Sequence, residues 1–304
     1  MGPMMRLLLG LCMFPDVASA ESTSAAATFR FADGGEAAFH EILQGDAASV
    51  ETVVFTYGGS GCPDLGHQWL PRVAAGMGID ARYRALNKRY VGKDAIGDGG
   101  GATCSPDFNA HNTPRQWMAD YMEFISKTLD AHPRRWKNIV LVGGSEGGAL
   151  AARVARARSD ITHLVVIGDG GWSMRDNLSS ILGADAVETA WKEIARHPGS
   201  TDRMWLGHPY RYWFDTFDHA PLGDYLALEI PVLIAFGERD RSVPVASGHE
   251  VLRAAQAAGK KNIGLVVYPG ADHSLRAEGH DFLDEFLRGA AHGIENGTVE
   301  LSER

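Results

Sequence analysis

The sequence predicts an α/β fold: a doubly wound, mostly parallel sheet with an antiparallel N-terminal hairpin and a small helical cap insert. Three observations lead to this prediction. From residue 51 onward, short apolar runs of strand length alternate with helical segments. Before that point, an Asp-Gly turn signal at residues 33–35 separates two short apolar-containing runs. After residue 172 the alternation pauses for a segment rich in proline and aromatic residues, and then resumes.

Each element follows from a local pattern. The hairpin strands are expected at residues 28–32 and 37–43, after a Ser/Ala-rich lead-in at 21–27. Apolar, often β-branched runs predict core strands at 51–57, 83–91, 139–142, 162–167, 230–236 and 263–268. Apolar residues at helical spacing predict helices at 69–75, from Pro114 to a stop at His132, and at 149–158, 245–258 and 282–290. Residues 172–226 are the expected cap insert.

The first twenty residues have the pattern of a cleaved export signal. Arg6 provides a positive start, residues 7–14 form an apolar run, and residues 18–20 have the small-x-small pattern that a signal peptidase accepts. We therefore expect cleavage near Ala20 and export to the periplasm or the medium, with residues 21–304 forming one domain. Because the apolar run is too short to cross a bilayer, we expect no membrane span in the mature protein.

Composition narrows the kind of partner. Of the 304 residues, 45% are hydrophobic and 22% are charged, which is typical of a soluble globular protein. The formal net charge of −9 argues against a nucleic-acid partner, because that interaction requires a basic surface. A small neutral or cationic substrate fits this charge better.

The cysteines predict one disulfide. Cys12 leaves with the export signal, so Cys62 and Cys104 remain and would meet an oxidising compartment, where disulfides persist. The pair has no C-x-x-C spacing and no paired histidine motif, which disfavours a zinc site. The acidic residues of the loop at 92–112 do not match the twelve-residue calcium pattern. We expect neither a metal nor a cofactor.

The predicted strand ends carry the residues suited to catalysis. In an open parallel sheet, ligands bind beyond the carboxyl ends of the strands. These ends hold small residues, a serine, two acids and a histidine, which are Gly59, Ser60, Ser145, Asp169, Asp240 and His273. A serine hydroxyl needs a base to become a good nucleophile, and the base needs an acid to orient it. The edge therefore predicts a site of nucleophilic catalysis.

Ser145 lies in a G-x-S-x-G turn between a predicted strand and a predicted helix. A serine on such a strained turn needs neighbours without side chains, since a Cβ at Gly143 or Gly147 would crowd the approaching backbones. With the acid turn at residues 237–244 and the histidine loop at 270–274, this turn resembles the motifs of the α/β-hydrolase superfamily. The resemblance covers residues 28 to 287. The glycine that directly follows the motif, Gly148, makes the turn similar to those of the dienelactone-hydrolase-like and prolyl-oligopeptidase-like branches.

The resemblance implies a role for each residue. Ser145 would attack the substrate, His273 would act as general base, and Asp240 would orient the histidine, in the chain order typical of this superfamily. The backbone amide of Glu146, and that of either Gly59 or Ser60, would form the oxyanion hole. The carboxylate of Glu146 is expected to point away from the reaction. Asp169 is interpreted as a strand-end or capping acid rather than the catalytic acid.

Four aromatic residues of the cap insert are candidates for the substrate pocket, namely Trp205, Tyr210, Tyr212 and Trp213. The other interpretation of these rings is that they pack the insert's own small core.

The leading hypothesis is an exported serine hydrolase that cleaves a small-molecule carboxylic ester through an acyl-enzyme on Ser145. The first alternative is a serine peptidase or amidase that uses the same residues. More remote alternatives are a non-catalytic protein and a nucleotide-binding α/β protein. The latter lacks support because residues 143–148 contain neither a dinucleotide-binding nor a P-loop motif.

Overall fold

The computed structural model describes residues 22–92, 104–133 and 136–296. The predicted export signal at residues 1–20 lies outside these ranges, as does most of the loop predicted at 92–112. The strands of the described residues are β1 (Ser22–Arg30), β2 (Glu36–Gln44), β3 (Thr52–Tyr57), β4 (Ala81–Leu86), β5 (Asn138–Gly144), β6 (His163–Ile167), β7 (Met204–Trp205), β8 (His208–Pro209), β9 (Val232–Gly237), β10 (Ile263–Tyr268), β11 (Arg276–Ala277) and β12 (His280–Asp281). The helices of the described residues are α1 (Trp69–Met77), α2 (Pro106–His111), α3 (Pro114–Asp130), α4 (Glu146–Ala157), α5 (Met174–Leu182), α6 (Ala184–Arg196), α7 (Tyr210–Thr216), α8 (Leu222–Ala227), α9 (Val245–Ala257) and α10 (Leu283–Asn296).

Eight strands form one mixed sheet in the order β1-β2-β4-β3-β5-β6-β9-β10. β1 pairs with β2, and β2 with β4, in antiparallel register, whereas the remaining neighbours are parallel. β3 and β9 are buried along their whole length, as expected for parallel strands covered on both faces. The predicted fold class is therefore confirmed, including the antiparallel N-terminal pair.

Helices cover both faces of the sheet. One face carries a core that includes Trp117 and Phe124 of α3, Leu150 of α4 and Val251 of α9. The other face packs against α1 and α10, with residues such as Phe286 at its centre. This doubly wound arrangement places the carboxyl ends of β3, β5, β6, β9 and β10 along one edge, where the candidate site residues follow.

Three predicted boundaries are wrong by five residues or more. The helix predicted at 282–290 is α10, which extends to Asn296. Residues 22–27 of the predicted lead-in belong to β1, because their backbone pairs with β2 from Ser22↔Gln44 onward and this pairing overrides the Ser/Ala composition. The strand predicted at 83–91 ends at Leu86, so Asn87 and Lys88 lie in the loop beyond the sheet. The predicted disulfide between Cys62 and Cys104 is present.

Residues 172–226, here called the cap segment, lie between β6 and β9. They contain α5, α6, α7, all but the last residue of α8, and the short pair β7 and β8. The segment has an aromatic cluster of its own, with Trp213 and Phe217 buried in it. Within the described ranges no helix combines the length and apolarity that a membrane crossing requires.

Candidate active site

Ser145 occupies a strained position between β5 and α4. Its φ of 52° lies in the left-handed region that residues with a side chain rarely adopt. The Ser145 N–H donates to the carbonyl of Ile167, which fixes the turn against the end of β6. A Cβ on Gly143 would lie 2.3 Å from the Gly147 carbonyl oxygen, so only glycine fits there. The turn therefore holds the serine at the carboxyl edge of the sheet.

The loop after β3 approaches this turn closely. A Cβ on Gly147 would lie 2.3 Å from the carbonyl oxygen of Gly58, and one on Gly59 would lie 3.5 Å from Cβ of Ser145. The two segments that sequence reasoning selected for the oxyanion hole thus lie side by side. Glu146 is the first residue of α4, where a backbone N–H has no acceptor within its own helix.

His273 and Asp240 form the closest polar pair of the site. His273 Nδ1 lies 2.7 Å from Asp240 Oδ2, and the carboxylate of Asp240 is fully covered. The backbone amides of Ser242 and Val243 donate to Asp240 Oδ1 at 2.8 and 2.9 Å. A Cβ on Gly168 would lie 2.8 Å from His273 Cε1, so the imidazole packs against the end of β6. The same strand end thus contacts both the Ser145 turn and the histidine ring.

Two cavities meet at Ser145. The first, of about 280 Å³, lies under the cap segment and is lined by Trp172, Leu206 and Trp213 among others. The second, of about 450 Å³, is lined by His273 and Trp69 together with the loop after β3. Ser60 also lines both cavities. Ser145 therefore divides the space available to a bound molecule into two parts.

The cap aromatics divide into two groups. Tyr212 and Trp213 line the first cavity and also pack in the cap cluster. Trp205 and Tyr210 pack against the cap cluster and do not line that cavity. Trp172, which sequence reasoning did not select, lines it. Its position in the loop that follows the end of β6 was the signal that could have identified it.

Two histidines of the cap segment, His208 and His219, line the first cavity but contact residues other than Ser145. The His208 ring stacks on Tyr212 with centroids 4.2 Å apart, and burial lowers its pKa. His219 Nε2 lies 2.9 Å from Asp224 Oδ2. Among the described residues, no group of three or more His, Cys, Asp or Glu side chains is arranged to hold a metal ion.

Glu146 differs from its sequence interpretation. Its carboxylate does not point away but is buried and lines the first cavity. Oε2 accepts from Lys88 Nζ at 2.9 Å, and Oε1 accepts from the Tyr212 hydroxyl at 2.9 Å. Burial opposes its ionisation, but the charge and hydrogen bond of Lys88 hold its pKa below the ordinary value. Sequence reasoning missed Lys88 because it placed this residue inside a strand.

Asp169 is a buried acid on the wall of the first cavity. It is 6% exposed, and its Oδ2 accepts from the Tyr225 hydroxyl at 3.1 Å. Burial raises its pKa to about 8, although the hydrogen bonds from Tyr225 and the Gly170 backbone oppose the rise. Asp240, rather than Asp169, is therefore the acid that contacts His273.

An α/β sheet with a serine on a strained turn, beside a histidine that is paired with a covered aspartate, defines a serine hydrolase of the α/β-hydrolase fold. Comparison with known proteins agrees, since the model of the prolyl oligopeptidase family, peptidase S9, matches residues 99–291. The chain belongs to the prolyl oligopeptidase family.

Individual relatives include both esterases and peptidases. The acylamino-acid-releasing enzyme of Rattus norvegicus is 26% identical over 192 residues, which cover 58% of this chain and 23% of the relative. The chain thus spans about a quarter of the length of the acylamino-acid-releasing enzymes that it matches.

Two solved structures share the fold. The esterase Pf2001 of Pyrococcus furiosus is similar with a TM-score of 0.61 at 15% identity, covering 91% of this chain and 93% of the esterase. Est1E from Butyrivibrio proteoclasticus, solved with bound ferulic acid, has a TM-score of 0.61 at 17% identity. The match covers 89% of this chain and all of the Est1E chain. The chain is thus a serine hydrolase of a group that contains both esterases and peptidases.

Replacing Asp169 by Asn should remove a pH-dependent loss of stability. Folding raises the pKa of this carboxyl from 3.8 to about 8, so the folded protein holds a proton that the unfolded chain releases. In the wild type, the contribution of this carboxyl to the free energy of unfolding is fully present below about pH 4. It is lost as the pH rises to about 8. The free energy of unfolding of the Asn variant, relative to wild type, should therefore increase by up to about 1.4 kcal/mol per pH unit in this window.

Urea denaturation at about pH 5, 6.5 and 8 measures this difference. The control is Tyr225→Phe, which removes the hydrogen bond to Asp169 but keeps the carboxyl, and it should retain the wild-type slope. A difference between the Asn variant and wild type that is the same at all three pH values would contradict the raised pKa.

Proposed function

We propose that this chain is an exported serine hydrolase that cleaves small carboxylic esters through an acyl-enzyme on Ser145. The observation that carries the proposal is the 2.7 Å contact between His273 Nδ1 and the covered Asp240 carboxylate, on the cavity wall that also includes Ser145. This combination meets the chemical needs of a serine nucleophile, which are a base within the same site and an acid that orients the base.

The proposed reaction starts with proton transfer. Asp240 accepts from Nδ1 of His273, so Nε2 is the ring nitrogen that can take the proton of the Ser145 hydroxyl as Oγ attacks the ester carbonyl. The two amides that hold Asp240 Oδ1 fix the carboxylate, and the carboxylate stabilises the imidazolium that forms. His273 then gives the proton to the departing alcohol, and a water molecule activated by the same ring hydrolyses the acyl-enzyme.

Backbone amides are the proposed donors to the oxyanion. The Glu146 N–H begins α4, and the loop of Gly59 and Ser60 lies against the Ser145 side chain. Two preorganised donors of this kind lower the barrier of acyl transfer by roughly 3 kcal/mol each.

The two cavities suggest how the substrate is divided. Because His273 lines the second cavity, a leaving group placed there would lie next to the acid that protonates it. The acyl group would then occupy the cavity under the cap segment, against Trp172, Leu206 and Trp213. This apolar wall favours an aliphatic or aromatic acyl group.

Ester cleavage is supported by two solved structures that the chain matches over most of their length. Pf2001 is an esterase, and Est1E was solved with bound ferulic acid. Export remains a proposal based on residues 1–20. The Cys62–Cys104 disulfide supports it, because such bonds persist in oxidising compartments.

A peptidase or amidase is the second candidate function. It is supported by the match to acylamino-acid-releasing enzymes, whose name describes release of an acylated amino acid. The same serine and histidine would act, but His273 would have to protonate a poorer amine leaving group.

A paired substrate assay should separate the two functions. We expect p-nitrophenyl acetate and butyrate to be hydrolysed, and aminoacyl p-nitroanilides to be cleaved at least about a thousandfold more slowly. The control is Ser145→Ala, which should lose at least about 10⁴-fold in kcat on the ester. Anilide cleavage as fast as ester cleavage would favour the peptidase, and undiminished activity of the Ala variant would overturn the role of Ser145.

Replacing Trp172 by Ala should shift the acyl preference towards longer chains. The ring is partly buried and lines the first cavity, so its removal enlarges that space. We expect the ratio of kcat/KM for p-nitrophenyl octanoate to that for the acetate to rise about tenfold. The control is Phe214→Ala, an exposed cap aromatic that stacks on Trp191 outside the cavity lining and should leave the ratio unchanged. An unchanged ratio in the Trp172 variant would place the acyl group elsewhere.

A further inference from the structure

Lys88 is a buried ammonium group next to the proposed reaction centre. Its side chain is 6% exposed and follows the end of β4, at the edge of the sheet that carries Ser145. Nζ donates to Glu146 Oε2 at 2.9 Å and to the Gly59 carbonyl oxygen at 3.2 Å, and lies 4.0 Å from the ring centroid of Trp117. One cation thus joins the loop after β3, the first residue of α4, and α3.

The contact with Gly59 orients a peptide group. A trans peptide holds its carbonyl oxygen and its N–H on opposite sides, and the described part of the chain has no cis peptide. Because the Gly59 carbonyl is turned to Lys88, the N–H of Ser60 in the same peptide points the other way. Ser60 lines both cavities that meet at Ser145. This favours the Ser60 amide over the Gly59 amide as the second oxyanion donor.

Both carboxylate oxygens of Glu146 accept hydrogen bonds. Lys88 donates to Oε2, and the hydroxyl of Tyr212, from the cap segment, donates to Oε1. The first peptide of α4 is therefore tied through its side chain to the loop after β3 and to the cap. Trp117, Glu146 and Tyr212 also line the first cavity, so a bound acyl group would contact the residues that hold Lys88.

A role in stability alone explains this arrangement poorly. Desolvating two charges costs several kcal/mol each, and apolar residues of similar size often replace a buried ion pair without loss of stability. The Lys88–Glu146 pair lies where a small displacement matters most, because it joins the two backbone segments that would bind the oxyanion. A misplacement of about 1 Å in such a site can cost about a hundredfold in rate.

We propose that Lys88 and Glu146 are positioning residues that hold the amides of Ser60 and Glu146 at the separation required to bind the oxyanion, with Tyr212 linking this pair to the cap segment. The proposal rests on the function proposed for Ser145. Neither side chain contacts the reacting atoms or transfers a proton in the reaction. Replacing them should therefore weaken stabilisation of the transition state and leave binding of the ester nearly unchanged.

The test is the double variant Lys88→Met/Glu146→Gln, which removes both charges and leaves no unpaired ion in the interior. We expect kcat on p-nitrophenyl butyrate to fall about a hundredfold while KM changes less than about threefold. Affinity for phenylboronic acid, which forms a tetrahedral adduct on a reactive serine, should fall in parallel with kcat/KM. Thermal denaturation of the same samples reports whether the variant is folded.

The matched control is Arg89→Met/Asp120→Asn. Arg89 follows Lys88 in sequence, and its pair with Asp120 is also largely buried, with Arg89 Nη2 2.8 Å from Asp120 Oδ1. This pair lines neither cavity that meets at Ser145. It should lose stability and keep the wild-type kcat. A folded Lys88/Glu146 variant with wild-type kcat, or one with a loss of kcat that the control pair shares, would overturn the proposal. Failure of the wild type to hydrolyse the ester and bind the boronate would instead overturn the proposed function.

Discussion

The close contact between two loop backbones determines the geometry of the site. The carbonyl of Gly58 lies where any side chain on Gly147 would be, so the loop after β3 and the start of α4 touch through backbone alone. This contact brings the two groups of candidate oxyanion donors together and leaves Ser145 in its strained conformation between them. The strain is stored in a turn that β5, β6 and α4 hold in place, so the surrounding sheet stabilises what the turn itself disfavours.

Three covered carboxyl groups lie at this edge of the sheet, and they differ in the donors that contact them. Asp240 is stabilised by His273 and two backbone amides, and Glu146 is stabilised by Lys88 and Tyr212. Asp169 has no cation in hydrogen-bonding contact among the described residues, so burial raises its pKa to about 8. The edge of the sheet thus combines two acids that are held by hydrogen-bond donors with a third, Asp169, that favours its neutral form. This variety is typical of sites where proteins tune acids for function.

Much of the fold and part of the site could be predicted from the sequence. The alternation of strands and helices was sufficient for the sheet, because apolar runs in parallel strands are continuous and distinctive. The edge rule for parallel sheets was sufficient to bring Ser145, Asp240 and His273 to one side, since the carboxyl ends of their strands lie together. The family, in turn, was indicated by the glycines around Ser145, which the turn requires for steric reasons.

The remaining features depend on contacts that no local pattern encodes. The Ser/Ala composition of residues 22–27 hid a strand that long-range pairing with β2 creates. Lys88 was hidden by a strand boundary placed five residues too late, which assigned it to the sheet instead of the edge beyond it. The orientation of the Glu146 carboxylate depends on Lys88 and Tyr212, which are 58 and 66 residues away in sequence.

Covalent labelling of the active site tests whether Ser145 is the nucleophile. The folded protein would be treated with a fluorophosphonate probe, and the modified peptide would be identified by mass spectrometry. We expect one adduct per chain on Ser145, and its rate of formation should fall strongly when His273 is replaced by Ala. A folded protein that forms no adduct on Ser145, or that is labelled equally fast without His273, would contradict the catalytic role of this turn.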